Sequence, residues 1–163
     1  MARTRTESGR MTDGHDGSLV VFLIGMRVNA WRRPAAWLPM FRAMPAMLAE
    51  LSREPARGLL GYRMTVGLDG PLLVQYWAST TDLLAYAHDP SGEHRPAWRA
   101  FNDRARRAGA AVGIWHETYR VPAGGHESVY AGMPPTGLAA ATSMVPVARR
   151  GQMAADRLGR SLS

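Results

Sequence analysis

Apolar and polar positions alternate in four separate stretches of this chain, and helical spacing fills the gaps between them. Residues 18–29, SLVVFLIGMRVN, predict a first strand. Leu19, Val21 and Leu23 lie on one face, and Val20, Phe22, Ile24, Met26 and Val28 on the other, so both faces are apolar and both need cover. Residues 35–53 carry Trp37, Met40, Phe41, Met44, Met47, Leu48 and Leu51 at helical spacing, with Pro45 expected to kink or split the helix. Gly58–Leu68 and Leu72–Ala78 predict two strands joined at Asp69-Gly70-Pro71 as a hairpin. Ser79 and Thr80 are candidate N-caps of a helical region over 80–108, broken at Asp89–Gly92. Within it His94, Trp98, Phe101 and Ala105 share one face. Val112–Val121, VGIWHETYRV, predicts the fourth strand, with Ile114, His116 and Thr118 on one face and Trp115, Glu117 and Tyr119 on the other.

The order strand, helix, strand, strand, helix, strand predicts an α+β, ferredoxin-like βαββαβ unit with an antiparallel sheet over 18–121. Helices cover one face of such a sheet. Because the strands are apolar on both sides, a second copy is expected on the other face, giving a homodimer in the form of a dimeric α/β barrel. Residues 1–17 read as a disordered arm, and 122–148 as a C-terminal extension with a short strand at His126–Ala131 and a lid or arm. The basic residues from 149 to 163 read as a disordered tail.

Composition narrows the chemistry. The chain of 163 residues has no cysteine, which removes disulfides, thiolate nucleophiles and cysteine-bound metals. All 20 basic residues are arginine, which removes Schiff-base lysines. The net charge is +7, but no basic helix with interleaved aromatics accompanies it, so no nucleic-acid partner is expected. No apolar run is long enough to span a membrane, and a cytoplasmic location is expected.

Two histidines stand out. His94 opens an apolar helix face, and His116 sits in the middle of an apolar strand. Either suits a general base or an iron ligand; the ordinary alternative is a core histidine bonded to backbone. Trp77, Trp98 and Trp115 suit stacking on a flat molecule, or plain core packing. Arg63 and Arg27, on the thinner strand faces, suit a carboxylate.

The segments FLIGMRVN, WLPMFRAMPAMLAEL, LLVQYW, HRPAWRAFN, GIWHETY and YAGMPPTGLA resemble an uncharacterised monooxygenase-like domain family of the dimeric α/β-barrel superfamily. Its distant relatives include antibiotic-biosynthesis monooxygenases, spheroidene monooxygenase and haem-containing aldoxime dehydratases. The resemblance implies oxidation of a small hydrophobic, planar substrate in a cavity of each protomer, with haem as the leading cofactor and no cofactor as the alternative. It implies site positions at Asn29, Trp77 and His94; beside these, the strand positions themselves make His116 a second candidate base or ligand and Arg63 a candidate contact to a carboxylate or haem propionate. A non-catalytic haem or ligand carrier on the same fold is the competing expectation.

Overall fold

The computed structural model describes residues 6–51, 57–88, 103, 104 and 106–159, the side chains of 43–51 apart. The elements run β1 (Arg10–Asp13), β2 (Leu19–Val28), α1 (Pro34–Leu51), β3 (Leu59–Gly67), β4 (Gly70–Trp77), α2 (Thr80–His88), β5 (Val112–Val121), β6 (Tyr130–Ala131), α3 (Leu138–Ala141), β7 (Met144–Pro146) and α4 (Ala154–Arg157). The main sheet has the order β3-β4-β2-β5, antiparallel throughout, which is the ferredoxin-like arrangement. The most apolar strand, β2, lies inside the sheet between β4 and β5.

Register fixes the two faces. Val20 pairs with Trp77 and Arg120, Phe22 with Gln75 and Thr118, Ile24 with Leu73 and His116, and Met26 with Ile114. These residues share the face that carries the helices. Met26, Val28 and Val112 pack with Met40, Trp37 and Phe41 of α1 at one end. Val20 and Trp77 pack with Leu83 and Tyr86 of α2 at the other. Ser79 caps α2: its Oγ accepts from the Asp82 amide at 3.0 Å and donates to the Asp82 carboxylate at 2.6 Å. α1 runs through Pro45 without the expected break. A proline removes one amide donor from the ladder, and the remaining turns keep theirs.

The outer face is partly covered by the chain itself, not left wholly to a second copy as its apolar pattern had suggested. α3 lies over Gly61 of β3, where an added Cβ would come within 2.8 Å of the Ala141 backbone. Gly137, at φ +59°, leaves the Tyr76 and Tyr130 hydroxyls room that a side chain would take. The family-like segment YAGMPPTGLA is thus a strap across the sheet.

Within residues 6–17 and 149–159 the structure also departs from the expected disordered arm and tail. β1 pairs with both β6 and β7 in a second, three-stranded sheet. Its centre is ionic. Asp13 is 1% exposed and accepts from Ser128 Oγ at 2.8 Å, the His15 amide at 3.0 Å and His126 Nε2 at 3.1 Å. Arg150, also buried, donates to the His15 and Asp13 carbonyls and pairs with Asp16 at 2.7 Å. Arg157 is buried against Glu127, donating through Nε and Nη2. Two arginines read as solvated tail charges are therefore buried, Arg150 against residues 13–16 and Arg157 against Glu127. A buried charge requires such partners, so they order the segments that carry them.

Candidate functional site

The helix-bearing face of the sheet is the natural floor of a site. At its two ends, clusters under α1 and α2 are closely packed. Between them Phe22, Ile24 and Leu73 form a smaller apolar patch, with Ile24 and Leu73 buried and Phe22 half-buried. Tyr62 and Met64 of β3 extend it on one side, each 41% exposed. His116 of β5 borders it on the other. Its ring is exposed and tilted against Phe22, with centroids 5.8 Å apart. The parity of β5 put His116 with Ile114 and Thr118; the pairing of Ile24 with His116 decides that this is the helix side.

Trp77 lies on the same face but not at the same place. It is fully buried, stacks with Tyr86 and donates from Nε1 to Gln75 Oε1 at 2.8 Å. It is four register positions along β2 from His116, about 13 Å at the strand rise. Trp77 therefore anchors α2, and Gln75 is the buried polar partner that makes an indole in the core affordable. Gln75 was missed at the level of sequence, although a lone amide within the apolar run LLVQYW is the signal that finds it.

Asn29 is exposed beyond the end of β2, and its amide donates to the Ala110 carbonyl at 3.0 Å. It closes the start of β5 instead of facing the patch. Arg63 pairs in register with Val74, on the outer face. It cannot share a ligand with His116 across the sheet. Arg27, on that outer face too, is exposed and 3.8 Å from Asp69. Trp115 lies over Gly25, also on the outer face. His94 and Trp98 lie outside the described residues. The expected haem set is thus divided: His116 is at the patch, Trp77 is in the core, Asn29 is bound to backbone and Arg63 is on the other face. These described residues do not fit a shared haem site.

A cleft of about 680 Å³ opens at the Trp77 end, lined by Ser18, Val20, Ser79, Thr80 and Arg120 among others. It adds hydroxyls and a guanidinium at the sheet end.

On the outer face the Tyr76 hydroxyl has its pKa raised, first by burial and then by the neighbouring Tyr130, with Arg63 opposing. The sign follows from linkage. Below pH 10 the phenol is neutral in folded and unfolded chains alike, and its contribution to stability is fully present. Above pH 10 the unfolded chain ionises first, and stability falls until the folded pKa is passed. Melting temperatures followed from pH 10 upward should therefore drop less steeply for Tyr76→Phe than for the unchanged chain. Equal slopes would show that the strap does not shield this phenol.

A model of the monooxygenase af470-like family matches residues 19–138, from β2 to the first residue of α3. Among solved structures, the chain is similar to aldoxime dehydratase OxdRE in complex with butyraldoxime, with 20% identity and a TM-score of 0.60. That match covers 80% of this chain and 39% of the dehydratase, so the chain spans about two fifths of its length. It is also similar to SnoaB, a cofactor-independent oxygenase from Streptomyces nogalater: 17% identity, TM-score 0.39, covering 63% of this chain and 91% of SnoaB. A dimeric ferredoxin-like protein from an uncultured marine organism matches at 12% identity and TM-score 0.43, over 64% of this chain and 95% of its own. At 20% identity the likeness to the dehydratase is one of fold. No curated protein matches the sequence. Among the described residues no helix is long and apolar enough to cross a membrane.

Proposed function

We propose, from the premise that the chain belongs to the monooxygenase af470-like family, that it is an oxidoreductase. It would insert oxygen into a small hydrophobic, planar molecule held on the helix side of the sheet. The observation that carries the reading beyond the family is the exposed imidazole of His116 beside the apolar patch of Phe22, Ile24 and Leu73. An apolar floor with one proton acceptor at its rim suits a phenolic aromatic ring.

The reaction is written without a cofactor, a reading supported by the separation of Asn29, Trp77, Arg63 and His116; His94 lies outside the described residues. His116 takes the phenolic proton, and the ring anion gives up electrons to molecular oxygen. One oxygen atom enters the ring as a new carbonyl and the other leaves as water, so a phenol and dioxygen become a quinone and water. The test is oxygen uptake by haem-free protein with a hydroxylated naphthalene, beside a haemin titration read in the Soret region. Uptake without haemin supports the reading. A saturable one-per-chain Soret shift, with uptake only when haemin is bound, would replace it with a haem enzyme. Saturable ligand binding with no turnover would make the protein a carrier.

A homodimer belongs to the same proposal. Val21, Leu23 and Val74 remain half-buried on the outer face, with Trp115 and Tyr119 exposed at 41% and 51%. Packing a second sheet there removes this apolar surface from water. Light scattering should give twice the chain mass for the unchanged protein and the single mass for Leu23→Glu. A monomeric unchanged protein would sink the dimer.

A further inference from the structure

At the start of α1, away from the His116 patch, a cleft of about 560 Å³ is lined by Arg33, Pro34, Pro39, Arg104, Arg107 and Ala108, among others. Among the described residues every ionisable side chain lining it is an arginine. The nearby carboxylate of Asp103 is taken by Arg106. Among the described residues no carboxylate pairs with Arg33, Arg104 or Arg107. α1 has 18 residues and no acidic residue in its first turn, so its N-terminal positive end is not neutralised from within. Three like charges converge on one cleft together with a helix dipole of the same sign. Such an arrangement is repulsive by itself, and an anion between the guanidiniums adds an attractive term with each of them that offsets the repulsion.

We propose that this cleft is a binding site for a small anion with an apolar body, its carboxylate or phosphate held by Arg104 and Arg107 and closed over by Arg33. Guanidinium forks match the two oxygens of either group. Pro34, Pro39 and Ala108 form a small apolar wall for the body, and the volume lies in the range of small-ligand sites. The site stands apart from the oxidation proposed above and does not depend on it.

Calorimetric titration of the full chain with benzoate, phenyl phosphate and neutral benzamide tests it. At least one anion should bind at one per chain, benzamide should not, and the stronger anion tells which headgroup the forks select. Arg104→Gln/Arg107→Gln should weaken that binding at least tenfold. Arg10→Gln/Arg149→Gln, which removes the same charge from exposed positions elsewhere, should weaken it less than twofold. Equal losses in the two double variants would reduce the effect to overall charge and overturn the site. Failure of both anions to bind would overturn it as well, as would binding of a single-stranded oligonucleotide in their place. All four replaced positions are exposed, and matched melting temperatures check that both variants fold.

Discussion

An Asp13→Ala chain is expected to lose roughly 3–5 kcal/mol of stability, the scale seen when one partner of a buried charge pair is removed. Asp13 accepts three hydrogen bonds, from Ser128, the His15 amide and His126, and its carboxylate lies 3.6 Å from Arg150. Truncation leaves the Ser128 hydroxyl and His126 Nε2 each short of an acceptor. It also leaves the buried Arg150 with Asp16 as its carboxylate partner, and Asp16 is half exposed. His126 has little room to compensate, because its Nδ1 is already buried without a partner among the described residues. With Nε2 facing the Asp13 carboxylate and the His15 carbonyl, the ring carries its proton on Nε2. Asp13→Asn keeps the shape and loses the charge, and should fall between the two. All five tryptophans lie between residues 31 and 115, outside the small sheet. Urea unfolding read by tryptophan fluorescence therefore reports the main sheet, while limited proteolysis of residues 122–159 reports the extension. Cleavage should appear in Asp13→Ala at lower urea than the fluorescence change. Proteolysis and unfolding curves that overlay the unchanged chain would show that the network contributes nothing.

His116→Ala is expected to lower turnover of a phenolic substrate by about 10²–10⁴-fold, the usual contribution of a positioned general base. The ring is exposed and lies tilted against Phe22 with centroids 5.8 Å apart, so truncation removes little packing and the fold should survive. The loss should fall on kcat more than on KM, because the apolar patch that holds the ring of the substrate stays intact. Added imidazole should restore part of the rate. A loss of only a few-fold would remove His116 as the base. His94, outside the described residues, would then be the histidine to replace.

The two histidines show how far a site is legible in a linear chain. Position 116 was identifiable because a polar ring interrupts an apolar alternation, and its parity with Ile114 and Thr118 follows from strand geometry alone. Which side of the sheet that parity faced did not follow. β2 is apolar on both faces, so either could have taken the helices; α1 packing on Met26 and Val28 made the choice. The same choice moved Arg63 away from His116, a separation that spacing along the chain does not encode.

What the sequence determined by itself is the βαββαβ core. Alternation in residues 19–28 and 112–121, helical spacing in α1, a hairpin near Asp69 (its turn is Leu68-Asp69, with Gly70 and Pro71 already in β4) and the Ser79 cap are local signals, each complete within one element or one turn. What only the tertiary structure decided is everything joined over long separations. β1, β6 and β7 have four, two and three residues, too few to show a period, and they pair Met11 with Tyr130 and Thr12 with Val145. Their polar residues read as solvated ends because nothing local says that Asp13 will meet Ser128, His126 and Arg150. A buried ion's partners are chosen by proximity in space, and the proximity of residue 13 to residues 126, 128 and 150 exists only in the folded chain.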